Sequence, residues 1–206
     1  MKNLTLRFMM SFAYDLPARQ ITGEPGWMDT DKWDIEAKAD TPGELNASQM
    51  KLMMQKLFAE RFALQVHEEK RKMEAYVLIV NKDGPKMTKT ANASSPTNVL
   101  MYPQGVIIAK SATMADLAQW LRSIFGQPVM DKTGLDEGRW DFTMRWTPDE
   151  TQFADVPESA RRPADDANPP PPLFTAIQEQ LGLKLETQKT DVPVLVVDHV
   201  AHPSPN

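Results

Sequence analysis

The strongest constraint on this chain is that it is written twice. Asn3-Leu4-Thr5-Leu6 aligns with Ser111-Ala112-Thr113-Met114, and a helical pattern follows each. Its apolar positions are Leu6, Met9, Met10 and Ala13 in the first copy, and Met114, Leu117, Ala118 and Leu121 in the second. Thr5 and Thr113 stand where an N-cap hydroxyl accepts from the free amides of a first helical turn. Ile21 and Val129 each close a short β-prone run. Polar turns then lead into matching Trp-Asp pairs, Trp33-Asp34 and Trp140-Asp141, which open strands alternating through Ile35 and Ala37 and through Phe142, Met144 and Trp146.

A second helix follows in each copy. Met50, Met53, Met54, Leu57, Phe58 and Phe62 form one apolar stripe, with Asn46 and Gln49 at capping-box spacing. In the second copy Leu173, Ile177 and Leu181 hold the stripe, behind Pro171 and Pro172. Each copy closes on a hairpin pattern. In the first, Leu64–His67 and Met73–Val80 flank the charged turn Glu68–Lys72; in the second, Leu183–Glu186 and Val192–His199 follow at the same offset. The expected fold is α+β, two pseudo-repeats, each with helices packed on an antiparallel sheet in the order helix, strand, strand, helix, strand, strand.

Residues 1–82 are repeat one, 83–103 a connector and 104–206 repeat two, together one internally duplicated domain. Gln104–Lys110 adds a strand ahead of the second copy's first helix. The first copy has no counterpart, which leaves the expectation that residues precede Met1. Residues 147–172 carry seven prolines, six acids, Arg161 and Arg162, a proline-rich acidic insertion that predicts an extended, mobile segment.

Composition removes several function classes. With 206 residues, 41% of them hydrophobic, the chain has material for a real core. A net charge of −5 excludes a general nucleic-acid binder. Zero cysteines exclude disulfides, thiol catalysis and cysteine zinc sites. No apolar run approaches the roughly 20 residues that span a bilayer. There is no Gly-x-Ser-x-Gly elbow, Ser-x-x-Lys pair or phosphate-cradling glycine loop. The N-terminal MKNLTLRFMMSFAYDL has the outline of a signal peptide, but Arg7 and Asp15 break it and a helix from Thr5 reads better.

The stretches LTLRFMMSFAYDL, QITGEPGWMDTDKWDIEAKA, TMADLAQWLRSIFGQPVMDKTGL, GRWDFTMRW and the closing VVDHV and PSPN carry a resemblance. The chain resembles an uncharacterised soil-bacterial family, abundant in acidobacteria, that is a domain of unknown function. The resemblance covers nearly everything outside the insertion. It implies an exported protein and no established catalytic residue. TMADLAQWLRSIFGQPVMDKTG is also similar, over one helix and one strand, to modules at the periplasmic ends of secretins and TonB-dependent receptors.

Each candidate site has a plainer reading beside it. His67 aligns with Glu186 on the polar side of a strand. Asp198, His199 and His202 are the candidate metal ligands, with a loose C-terminal tail as the alternative. Asp29, Asp31 and Asp34, then Asp131, Asp136, Glu137 and Asp141, are carboxylates suited to calcium or to glycoside hydrolysis, and equally to satisfying turn amides. Trp33 and Trp140 read as core anchors, leaving Trp27, Trp120 and Trp146 as candidate ligand-binding residues. Neither a catalytic residue nor a cofactor is indicated.

The expected function is a non-catalytic, extracytoplasmic ligand-binding or protein-interaction module of the cell envelope, taking an unknown protein or cell-wall ligand in a groove between repeats. The alternatives are a carboxylate hydrolase using Asp31 and Asp136, or a self-assembling envelope component resembling secretin modules.

Overall fold

The structure is a computed structural model that describes residues 1–23, 25–36, 46–92, 94–153 and 168–203. It is mixed α+β, and the chain divides into two compact units, Met1–Met73 with Thr190–Asn206 and Glu74–Lys189.

Unit 1 begins with β1 (Leu4–Thr5) and α1 (Leu6–Tyr14). They are followed by β2 (Ile21–Thr22), the short α2 (Trp27–Thr30), β3 (Lys32–Trp33) and α3 (Ala47–Arg61). The Thr5 hydroxyl accepts from the Phe8 amide at 3.3 Å, the N-cap bond its position predicts. Leu6, Met9, Met10 and Ala13 are all buried, so the apolar stripe of α1 is its core face. The Asn46–Gln49 capping box opens α3. Its buried stripe is narrower than the sequence implies: Met54 and Phe58 are buried with Phe62, whereas Met50 is exposed. This core is completed from both ends of the chain, because Leu195 and Val197 pack into it.

Those two residues lie on β10 (Leu183–His199), and the other long strand is β4 (Gln65–Val80). Both strands belong partly to each unit. Here the hairpin expectation fails. The charged stretch Glu68–Lys72 is not a turn but the interior of β4, whose first nine residues are largely solvent-exposed. Strand pairing satisfies the backbone while charged side chains stay in water, and Lys72 meets Asp191 of β10 at 2.8 Å. The segment 65–80 contains no Gly, Pro, Asn or Asp, so nothing in it favours a turn.

Unit 2 adds β5 (Thr88–Lys89), β6 (Asn98–Tyr102), β7 (Val106–Ala112), α4 (Met114–Phe125), β8 (Val129–Asp131), β9 (Trp140–Arg145) and α5 (Leu173–Leu181). Residues 83–103, expected as a connector, therefore supply two strands of the sheet ordered β5-β9-β7-β6. Thr113 and Asp116 form a capping box at the start of α4, and Met114, Leu117, Ala118 and Leu121 are buried. Pro172 takes the N-cap position of α5, and Gly182 ends it with a positive φ of 68°. Trp146 is fully buried and donates its indole N–H to Gln152 at 2.8 Å. Of the insertion expected to be extended and mobile over 147–172, Thr147 is pinned by a parallel bridge to Pro172 and Gln152 is buried, while 154–167 lie outside the described residues. Arg161 and Arg162 lie outside them too, as does Ala37.

The sheets are not wholly antiparallel as expected. The short strands β2 and β8 pair in parallel, Ile21 with Leu195 and Val129 with Tyr76. In both cases a strand just after the first helix is laid beside a distant long strand, which no hairpin connection would do.

Candidate functional site

The elbow ahead of the first helix sets the geometry in each unit. Asn3 has a φ of 58° and Ser111 a φ of 54°, left-handed conformations that turn one amide out of the strand ladder. That amide needs an acceptor. The Asn3 N–H donates to Asp34 at 2.7 Å and the Ser111 N–H to Asp141 at 2.8 Å. The Trp-Asp pair thus has a structural meaning: Trp33 lies opposite Leu4 and Trp140 opposite Ala112, and the next residue ties off the elbow. Both indole N–H groups are buried without a hydrogen-bond partner. Because they share this, it belongs to the elbow and not to a ligand site.

Beyond the elbow the units diverge. In unit 2, Ile107 and Ala109 of β7 and Phe142 and Met144 of β9 fill the core against Leu173 and Ile177 of α5. In unit 1 the Met1 N-terminus donates to the Ile35 carbonyl at 2.8 Å, and the Ile35 amide donates to the Met1 carbonyl at 2.8 Å. Past this rung lies an open groove of about 700 Å³, lined by Met1, Lys2, Trp33, Asp34, Ile35, Glu36, Leu57, Arg61, Phe62 and Pro203. Its floor is aromatic and aliphatic, and its rim carries charges of both signs.

An aromatic cluster stands beside the groove. The His202 ring stacks on Trp27 with centroids 4.1 Å apart, and Trp33 meets Phe62 edge to face at 5.4 Å. His202 Nε2 lies 3.0 Å from the Asp31 carboxylate. The bond from His202, with a second from the Thr30 hydroxyl, holds the Asp31 carboxyl below the usual carboxylate range. The Ala201 amide donates to the Phe62 carbonyl, so the tail expected to be loose is fastened at 201–202.

The candidate metal ligands are placed apart by their partners. Asp198 pairs with His67, whose Nδ1 is 2.9 Å from both carboxylate oxygens, and His202 pairs with Asp31. His199 ends β10 and is exposed. Among the described residues no group of three or more metal-ligating side chains comes together.

The carboxylates mostly brace the fold. Asp29 takes the Arg7 guanidinium, which also donates to the Ala18 and Ile21 carbonyls. Asp131 accepts from the Thr133 amide and hydroxyl. The Ser111 amide, the Thr90 hydroxyl and Lys110 together hold the Asp141 carboxyl below its usual range. Glu186 is lowered by Lys184 and Gln188. Asp136 and Glu137 are exposed in the turn before β9.

Of the three candidate tryptophans, Trp27 alone stands beside the groove. Trp146 is core, stacked on Phe153 at 6.2 Å, and Trp120 packs partly buried against the same core. Ile35, Leu57, Arg61 and Phe62 were not singled out as site residues by the sequence. Leu57 and Phe62 belonged to a stripe that reads as core; Phe62 is indeed buried and Leu57 half-buried, and both line the groove.

The chain belongs to a family of proteins of unknown function, DUF3738. The family's profile matches residues 7–200, from inside α1 to just past β10. No curated protein matches the chain, and no solved structure does. No helix among the described residues is long and apolar enough to cross a membrane.

Proposed function

We propose that this protein is a non-catalytic binding module of the cell envelope, built from two copies of one α+β unit, whose unit 1 groove takes an extended peptide segment. The observation that carries it is the contrast over the elbow. In unit 2 Ile107 and Ala109 of β7 are buried in the core, whereas in unit 1 Ile35 and Leu57 are only half-buried and line an open groove with Phe62. Mixed charges on the rim suit a peptide backbone and its flanks better than a uniformly anionic ligand.

Five coincidences support the duplication. Thr5 and Thr113 cap, Asn3 and Ser111 bend, Asp34 and Asp141 accept, and Trp33 and Trp140 pair one residue after those bends. The fifth is the parallel register: Ile21 with Leu195 and Val129 with Tyr76, where Leu195 and Tyr76 are themselves counterparts in the long strands. On this reading each copy contributes half of its final strand to the other's unit. An extracytoplasmic location rests on the family resemblance, and fractionation of the full-length protein tests it.

The binding test is a thermal-shift screen against cell-wall fragments, glycans and peptides, the latter including one with the sequence of residues 104–112 of this chain. Stabilisation by the extended apolar peptide, abolished by Ile35→Lys and by Leu57→Asp in chains that keep the native circular dichroism, is the expected outcome. Stabilisation by a glycan alone, by nothing at all, or equally in the groove variants, counts against it.

A further inference from the structure

Strand β6, Asn98-Val-Leu-Met-Tyr102, is the last strand of its sheet, with β7 on one side and no strand on the other among the described residues. Edge strands of this kind are normally guarded by a charge, a proline or a bulge within the strand, because their unpaired N–H and C=O groups template further pairing. β6 carries none of these. Its prolines, Pro96 and Pro103, stand outside it and fix its length without blocking it. Its register with β7 is unbroken from Asn98 to Tyr102. Leu100 is 51% exposed, Met101 39% and Tyr102 43%, three consecutive large apolar side chains on a strand edge.

We infer that β6 pairs antiparallel with β6 of a second copy of this chain, joining two unit 2 sheets edge to edge about a two-fold axis at Leu100. The choice of a second copy follows from charge. A strand laid antiparallel on itself sets each residue against one of its own, so any charge at its centre would face its like. β6 has no charged residue, and pairing about Leu100 sets Leu100 on Leu100, Val99 on Met101 and Asn98 on Tyr102. The outward alternation of Leu100 and Tyr102 gives the joined sheet a continuous apolar strip. This inference is independent of the unit 1 groove.

The absence of cysteine makes the test clean. Opposed residues in an antiparallel pair have Cα atoms about 4.5–5.5 Å apart, within the span a disulfide bridges. Leu100→Cys in the full chain is expected to form a covalent dimer under mild oxidation, while Leu52→Cys, 64% exposed on α3, forms no covalent dimer. Sedimentation of the unmodified chain is expected to give twice the chain mass. Leu100→Lys, an outward-facing change that should leave circular dichroism unaltered, is expected to weaken association at least about tenfold by opposing two cations. A monomer at every concentration overturns the inference. So does a dimer that ignores Leu100→Lys, or one in which Leu52→Cys cross-links as readily as Leu100→Cys.

Discussion

In unit 2 the strand that begins at Trp140 runs six residues and is flanked by β7 and β5, whereas in unit 1 the strand that begins at Lys32 is paired over two residues with β1. Both start from the same elbow, a left-handed residue whose amide is caught by the Asp after a Trp. The difference teaches that the same local elbow can lead into a six-residue strand within a packed core or into a two-residue strand beside an open groove. The helices differ as well: α3 and α4 open on reciprocal capping boxes, α1 on a single Thr5 bond and α5 on Pro172 with no side-chain cap bond. The groove lies where Ile35 and Leu57, apolar positions of a strand and a helical stripe, are half-buried among the described residues.

That comparison can be broken in several ways, of which core truncation has the largest expected effect. Trp146→Ala is expected to cost about 3–5 kcal/mol, read by chemical denaturation, since Trp146 is fully buried and bonded to Gln152 in the closed unit. Trp33→Ala, at the groove wall of the open unit, should cost clearly less. Equal losses would mean that the groove floor is as tightly packed as the closed core.

The ends of the second helices come next. Gly182, with φ +68°, is so placed that an added Cβ would lie 2.1 Å from the Gly84 carbonyl oxygen, and Ala63 holds the corresponding position in unit 1 with φ 48°. Gly182→Ala is expected to lose more than about 2 kcal/mol through backbone strain and this clash, and Ala63→Gly to gain about 1 kcal/mol by releasing strain already present. Denaturation midpoints check both, and a destabilised Ala63→Gly would break the correspondence.

Capping gives a smaller, matched pair. Thr5→Ala and Thr113→Ala should each cost about 1 kcal/mol, with Thr113 the larger because its box with Asp116 is reciprocal. Hydrogen exchange at the first turns of α1 and α4 would locate each loss.

The smallest effect is a pH dependence. The folded-state pKa of Asp141 is depressed by the Ser111 amide, the Thr90 hydroxyl and Lys110. Its contribution is thus complete above the ordinary carboxylate pKa of about 4 and is lost as pH falls through the depressed value. The Tm difference between the parent chain and Asp141→Ala should shrink on acidification through that window and stay constant above it. A difference that grows towards acid pH would reverse the assignment.

Much of this was legible locally. Thr5, Thr113, Asn46 and Gln49 are read from the few residues that follow them, because a cap needs only the next turn. The stripes of α1 and α4 are equally local. The Trp-Asp correspondence was visible too, but its purpose was not, since the acceptor and the amide it serves are about thirty residues apart. Glu68–Lys72 misled for a physical reason: charge density marks exposure, and both a turn and a solvated strand are exposed. The missing turn-forming residues were the better signal.

By itself, then, the sequence determined the helices, their caps, their buried faces and the repetition of a Trp-Asp elbow, because each depends on neighbours within a turn or two of chain. Tertiary structure alone decided that β4 and β10 run unbroken, that β2 and β8 lie parallel to them, and that Ile35, Leu57 and Phe62 line a groove. Those outcomes depend on which distant segments come to lie side by side, and strand pairing is paid in backbone hydrogen bonds that almost any residue can make. Local pattern can say that a face is apolar; only the arrangement of remote strands says whether anything covers it.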